Sequence, residues 1–256
     1  MLIVERQERL LQFLKERNTA DLESMSKEIG VSTSTVRRDL EELEKKGLVS
    51  RTHGGAIYRE PQRNSMHLTT RMEEQVEAKR LIGRHVAGMV EPQMTVLLDG
   101  GSTVYYAAEM IKARPIQVVT NSLAISNLFS EDEQVELVLI GGLLYPRTGV
   151  MVGPIARKCL QDLHADLLLF SLAGIYDGNC FNQNLAMAEG EEVMLQQAAR
   201  KVLLMDSTKF GRKSLARVCK VDDVDLVVTD PGVDEQWVTQ LEDKLLVAKD
   251  DAPDSD

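Results

Sequence analysis

The chain has 256 residues, with 30 Lys+Arg against 40 Asp+Glu for a formal charge of −10, and is 43% hydrophobic and 27% charged. This length fits one large domain or a small domain joined to a medium one, and the acidic total argues against indiscriminate nucleic-acid binding. No apolar run approaches the roughly 18 residues of a membrane-spanning helix, and the charged N-terminal stretch lacks a signal-peptide block, so a cytoplasmic protein with no membrane partner is expected. Cys159, Cys180 and Cys219 are far apart and lack C-x-x-C spacing, which predicts neither disulfides nor a thiolate metal site. They read as core or surface filler, and no cofactor or metal is expected. The charge is uneven: residues 1–59 carry 11 basic and 10 acidic residues, the remainder 19 and 30. Two modules with different partners fit this division.

In chain order, Ile3, Leu10, Leu11 and Leu14 share the face of a first helix over Ile3–Lys15. Asp21 is placed to cap a short second helix carrying Leu22, Met25 and Ile29, and Gly30 to end it. Ser32 caps a third helix, whose Val36, Leu40 and Leu43 share a face until Gly47. This is a helix-turn-helix outline. Around the third helix Ser34, Arg37 and Arg38 lie opposite the apolar face, flanked by Thr33 and Thr35. Donors thus occupy the first two turns, the part of a recognition helix that enters the major groove, while Glu41 and Glu42 would be repelled by phosphate. The alternative is a solvated charged face. Leu48–Arg51 and Ala56–Tyr58 flank Thr52-His53-Gly54-Gly55, predicting a hairpin wing in which Arg51 adds a cation and His53 is either a phosphate donor or a turn residue.

These residues, Val31-Ser32-x-x-Thr35-Val36-Arg37-Arg38-Asp39-Leu40-x-x-Leu43-Glu44-x-x-Gly47 followed by Arg51-x-His53-Gly54-Gly55-Ala56, resemble the DNA-binding module of the DeoR family of bacterial transcriptional regulators. The resemblance implies operator binding through Ser32, Thr33, Ser34, Thr35, Arg37, Arg38, Arg51 and His53, followed by a sugar-phosphate-sensing domain. The boundaries that follow are a winged helix-turn-helix domain over 1–59, a polar linker over 60–72, an effector-binding α/β domain over 73–249 and a disordered acidic tail over 250–256.

Beyond the linker a helical pattern runs over Gln75–Met89. Apolar runs then begin at Thr95, Gln117, Val135, Asp166, Lys201, Asp225 and Lys244, alternating with helices over Ser102–Ile111, Ser122–Phe129, Pro154–Asp162, Glu189–Arg200 and Asp234–Leu241. Apolar strands alternating with helices predict a mostly parallel α/β sheet. Glu189 then reads as a first-turn acid that complements the helix dipole.

Ligands of such sheets bind beyond the strands' C-terminal ends. Those ends read Asp99-Gly100-Gly101-Ser102-Thr103, Thr120-Asn121-Ser122, Gly141-Gly142, Ala173-Gly174 and Asp206-x-x-Lys209. Glycines admit a ligand, helix-start amides and hydroxyls hold an anion, and Lys209 supplies a cation for a phosphate or a substrate oxygen. Taken singly each is common turn chemistry; on one rim they point to a phosphate-compatible site of Asp99, Gly101, Ser102, Thr103, Thr120, Asn121, Gly141, Gly142 and Lys209. Asp99-x-Gly101-Ser102-Thr103, Thr120-Asn121, Gly141-Gly142, Gly174 and Asp206-x-x-Lys209-Phe210-Gly211 also resemble the DeoR-family effector domain. That resemblance implies a fold like ribose-5-phosphate isomerase and CoA transferases. The chain therefore reads as a repressor of a carbohydrate operon, a homo-oligomer that binds double-stranded operator DNA and a phosphorylated sugar, and not an enzyme. The alternative is an isomerase-like enzyme with an appended DNA-binding module.

Overall fold

A computed structural model describes residues 3–45, 48–52, 54–58 and 67–249, in two compact units, Met1–Ser65 and Met66–Asp256. Gly47, His53, residues 60–66 of the expected linker and the tail 250–256 lie outside the described residues.

The first unit runs α1 (Ile3–Arg17), β1 (Thr19–Asp21), α2 (Leu22–Ile29), α3 (Thr33–Lys45), β2 (Val49–Arg51) and β3 (Gly55–Tyr58). Each boundary has a local cause. The Asp21 carboxylate accepts from the Ser24 amide at 2.9 Å, and Gly30, at φ 76°, donates its N–H to the Ser26 carbonyl, so α2 is capped at both ends. The Ser32 hydroxyl accepts from the Thr35 amide at 3.3 Å, opening α3. Leu10, Leu14, Met25, Ile29, Val36, Leu40, Leu43, Val49 and Ala56 form one buried cluster beneath the three helices and the wing. The wing has a third strand absent from the sequence reading: β1 pairs with β3 antiparallel, Thr19 opposite Ile57. Three residues with no apolar alternation gave it no signal.

The second unit runs α4 (Leu68–Glu73), α5 (Val76–Ala87), β4 (Thr95–Leu98), α6 (Ser102–Met110), β5 (Ile116–Thr120), α7 (Leu123–Phe129), β6 (Val135–Leu139), β7 (Leu143–Tyr145), β8 (Val150–Val152), α8 (Pro154–Gln161), β9 (Ala165–Phe170), β10 (Gly174–Tyr176), β11 (Asn179–Asn182), α9 (Leu185–Gln197), β12 (Ala198–Leu204), β13 (Ala216–Lys220), β14 (Leu226–Thr229), α10 (Glu235–Leu241) and β15 (Leu245–Val247). Seven strands form one sheet in the order β15-β14-β12-β9-β4-β5-β6, and every pairing in it is parallel. Alternate residues divide between two cores: Val96 and Leu98 pack with α5, α6 and α7, Leu97 with α8, α9 and α10. Both faces are covered, which explains the unbroken apolar runs.

The structure corrects four expectations here. Residues 68–72, assigned to the linker, fall within α4. The helix expected over Glu189–Arg200 starts at Leu185, capped by the Asn184 side chain at the Met187 amide. Glu189 therefore lies in the second turn and pairs with Arg157 at 3.2 Å rather than serving the helix start. The antiparallel sheet β10-β11-β13 and the hairpin β7-β8 are inserted between parallel strands, in segments to which the sequence reading gave no strand. Cys180 and Cys219 are buried, facing each other across β11 and β13, and Cys159 is exposed.

A side chain at Gly55 would place its Cβ 2.1 Å from the Ala20 carbonyl oxygen on β1. Gly55→Ala should therefore cost the first unit about 1–3 kcal/mol through forced displacement of β1. Calorimetry should record a lowered transition for that unit alone; an unchanged transition would mean that β1 does not pack there.

Candidate functional site

On α3, Ser32, Thr33, Ser34, Arg37 and Arg38 are exposed and Thr35 half-buried. The hydroxyls of Ser34 and Thr35 each lie 2.9 Å from that of Ser32, forming a cluster of short polar groups at the helix start beside the two arginines. Asp39, on the buried side, is neutralised by Arg6, whose guanidinium meets both carboxylate oxygens at 2.6 and 3.0 Å. Arg51 sits differently from its sequence reading as a DNA donor. Its guanidinium binds Glu44 at 2.8 Å and Glu41 at 2.7 Å, and its amide binds Glu44 at 2.8 Å. It clasps the wing to the C-terminal half of α3 and neutralises two acids there. Among the described side chains of the helix, the exposed cations are Arg37 and Arg38, in its N-terminal half.

In the second unit the chain reverses its direction of sheet growth between β4 and β9: β4, β5 and β6 extend one way, β9, β12, β14 and β15 the other. No crossover covers the strand ends at such a point, so a crevice opens there. β4 leads into Asp99, β9 into Ser171, and β12 through Met205 into Asp206. Asp99 is 2% exposed, and its carboxylate accepts from the backbone amides of Gly100 and Ser171. A Cβ on Gly101 would lie 3.0 Å from that of Ser171, and the Lys209 ammonium donates to the Ser171 hydroxyl at 3.1 Å. Asp99, Gly101, Ser171 and Lys209 are therefore contiguous.

From Gly101 the chain enters α6, whose N-terminus has no side-chain cap. Ser102 and Thr103 are fully buried, yet both hydroxyls lack a hydrogen-bond partner among the described residues. Native proteins rarely leave such groups unpaired. The Asn121 carbonyl oxygen is likewise buried and unpartnered, while its amide reaches the Met151 carbonyl at 3.4 Å. Asp99, Asn121, Met151, Arg157 and Met187 line one narrow recess.

Of the other expected rim residues, Thr120 and Gly142 are engaged by the fold. The Thr120 hydroxyl donates to the Leu98 carbonyl at 2.7 Å and accepts from the Ser122 amide at 3.1 Å, so its hydrogen bonds are used internally. Gly142, at φ 152°, would place a Cβ 2.9 Å from the Val152 carbonyl oxygen, so it permits close packing of β8. Gly141 is exposed, just beyond edge strand β6.

Several charged groups that act on Asp99 and Asp206 are absent from the sequence reading. Glu191 of α9 is 2% exposed; it accepts from the Asn182 amide at 2.5 Å, and its second oxygen has no partner among the described residues. Arg71 of α4 lies within the field of Asp99, Glu191 and Asp206, and the buried Lys79 within that of Asp206. Burial raises Asp99 to about 6 against the pull of Arg71 and Lys209. Burial, then the Asp99 charge, holds the Glu191 carboxyl well above the usual range. Burial, then Arg71, lowers Lys209 to about 7, with Asp206 opposing; burial lowers Lys79 to about 8. For Asp206 burial acts upward, but Lys209, Thr208 and Lys79 outweigh it and leave the carboxyl below its ordinary range. Ser171 was within reach of the strand-end rule, one residue past Phe170. Arg71 and Glu191 carry no local signal, because long-range folding brings them here.

The architecture is that of a DNA-reading winged helix joined to an α/β unit with a polar crevice at its switch point. Residues 6–62 match the DeoR-like helix-turn-helix domain and residues 74–231 the DeoR C terminal sensor domain. The L-fucose operon activator of Escherichia coli (strain K12) is 32% identical over 88% of this chain and 94% of its own. The HTH-type transcriptional regulator GlpR of Haloferax volcanii is 31% identical over 94% and 95%, and the lactose phosphotransferase system repressor of Staphylococcus epidermidis 29% over 88% and 91%. The solved ribose 5-phosphate isomerase A of Methanocaldococcus jannaschii aligns over 54% of this chain and 55% of its own, with 14% identity and a TM-score of 0.39. The chain belongs to the DeoR family. It is a DNA-binding transcriptional regulator, not an enzyme. No helix among the described residues is long and apolar enough to cross a membrane.

The lowered Lys209 sets a pH dependence. Between about 7 and the ordinary value of 10.5 the native state holds fewer protons at Lys209 than the unfolded chain, so this group's stability cost is full below 7 and is relieved as pH rises through that window. An anion in the crevice favours the protonated amine. Sulfate, whose charge is constant here, should therefore bind more tightly at pH 6 than at pH 8 by calorimetric titration, and Lys209→Met should reduce the difference to the part that Asp99 and Lys79 contribute; equal affinities in the parent would remove Lys209 from the site.

Proposed function

We propose that this regulator represses a carbohydrate-metabolism operon as a cytoplasmic homo-oligomer, and that a phosphorylated sugar in the crevice changes its operator affinity. The observation that carries this is the pair of buried, unpartnered hydroxyls, Ser102 and Thr103, at the uncapped start of α6, joined through Gly101 and Ser171 to the Lys209 ammonium. Helix-start amides, two hydroxyls and one cation make a phosphate site. Asp99 and Asn121 serve the polyol end, since a carboxylate beside the phosphate would oppose it. The names of the relatives, a fucose operon activator and a lactose phosphotransferase repressor, support a carbohydrate effector. On the DNA side, Arg37 and Arg38 contact bases and the hydroxyls of Ser32, Thr33, Ser34 and Thr35 contact phosphates, with His53 of the wing an additional phosphate donor. One module reaches few bases, so two half-sites held by a symmetric assembly supply the affinity.

Arg37→Ala or Arg38→Ala should weaken operator binding by about one to two decades, from the ~1–3 kcal/mol of a bidentate arginine–guanine contact. A salt-matched gel shift with both variants at parental affinity would overturn the recognition-helix assignment. A thermal-shift panel of sugar phosphates should find an effector, since a ligand at about 100 times its Kd adds ~2.7 kcal/mol. Lys209→Ala should lose the operator response to that effector while keeping operator affinity; a response with unchanged midpoint would refute this reading of the crevice.

A further inference from the structure

The recess beside Asp99 has a chemistry of its own. Asn121, just past β5, Arg157, in the first turn of α8, and Met187 of α9 line it, and its cavity of about 10 Å³ is the space that one oxygen atom occupies. Two atoms of these residues, Asn121 Oδ1 and Arg157 Nε, are buried and have no hydrogen-bond partner among the described residues, so they do not bond to one another. They are chemical opposites: the amide oxygen accepts and the guanidinium N–H donates. Both side chains are held in position. The Asn121 amide nitrogen donates to the Met151 carbonyl at 3.4 Å, which sets the direction of Oδ1. Arg157 Nη1 donates to the Glu189 carboxylate at 3.2 Å, which anchors the planar guanidinium at its outer end and balances its charge.

We infer that this recess is a hydroxyl-reading subsite: Arg157 Nε–H donates to one hydroxyl of the bound sugar, and that same hydroxyl donates to Asn121 Oδ1. This rests on the crevice being the effector site, and it narrows the ligand class to sugar phosphates that carry a free hydroxyl at the end away from the phosphate. One unpaired donor and one unpaired acceptor in a cavity the size of one oxygen are the complement of a group that accepts and donates at a single atom. A hydroxyl is that group. A carboxylate satisfies Arg157 but has no proton for Asn121, and an ammonium satisfies Asn121 but cannot accept from Arg157. A second phosphate has more atoms than the cavity holds. A deoxy sugar leaves both buried groups unpaired, which is the strongest ground for rejecting a ligand that lacks a polar group. Glu189 acts through Arg157 as a positioning residue, and because it balances the guanidinium charge, the recess recruits a neutral group and not an anion.

Calorimetric titration of the full chain tests this, with inorganic phosphate as the probe of the α6 start and D-ribose 5-phosphate, D-fructose 6-phosphate and D-glucose 6-phosphate as probes of both ends. At least one sugar phosphate should bind the parent more tightly than inorganic phosphate does. Arg157→Met, which keeps the length and removes the donor, should weaken that sugar phosphate about tenfold or more relative to inorganic phosphate. Asn121→Leu should do the same in the parent and much less in the Arg157→Met background, because both side chains serve one oxygen; the melting transition reports that each variant is folded. D-fructose 1,6-bisphosphate should gain nothing over the 6-phosphate. A gain that Arg157→Met removes would overturn the hydroxyl in favour of an anion, and additive losses in the double variant would overturn the shared contact. Inorganic phosphate binding with no sugar phosphate binding more tightly, or with Arg157→Met weakening both alike, would overturn the subsite and spare the phosphate site. No binding of inorganic phosphate or of any sugar phosphate would overturn the crevice itself and this inference with it.

Discussion

The second unit depends on the reversal between β4 and β9. An all-parallel sheet covered on both faces has its backbone hydrogen bonds satisfied internally and its apolar side chains in two cores, so polar chemistry collects where the strands end. At the reversal no crossover closes the space, and Asp99, Ser171 and the start of α6 share it. Buried charges there are tolerable only when matched. The matching draws in Arg71 and Lys79 from α4 and α5, Glu191 from α9, and Asp206 and Lys209 from beyond β12.

The same rule governs the DNA-reading unit on a smaller scale. Its recognition helix carries Asp39, Glu41 and Glu44, acids that would repel DNA. Arg6 holds Asp39 on the buried side, and Arg51 holds Glu41 and Glu44 at the far end. What remains at the N-terminal end is a short stretch of hydroxyls and two arginines. The surface proposed to meet DNA is shaped as much by internal neutralisation as by the exposed cations.

Features written within a few residues were legible in the sequence. Asp21, Gly30 and Ser32 marked helix ends because capping is local, and the apolar runs marked parallel strands because burial on both faces leaves no alternation. Asp99, Ser102, Thr103 and Lys209, the residues of the proposed site, were picked out by one rule about strand ends. That rule overreached at Thr120, whose hydroxyl the backbone consumes, and at Gly142, which answers a packing constraint from Val152. α4 was illegible because six residues are too few for a periodic pattern, and β13 because it pairs with β11 across about 40 residues; the β10-β11 hairpin turns at Asp177-Gly178, which is a local turn signal. Arg71 and Glu191 could not be assigned without the fold, since their meaning is their proximity to Asp99.

The central claim is that the start of α6, with Lys209, receives a phosphate group. Its most direct test is a crystal structure of the full chain bound to a sugar phosphate that shifts its melting temperature. The account requires the phosphate to accept hydrogen bonds from the amides and hydroxyls of Ser102 and Thr103 and from the Lys209 ammonium, with the sugar toward Asp99 and Asn121. A phosphate bound away from α6, with those two hydroxyls still unpaired, would contradict it.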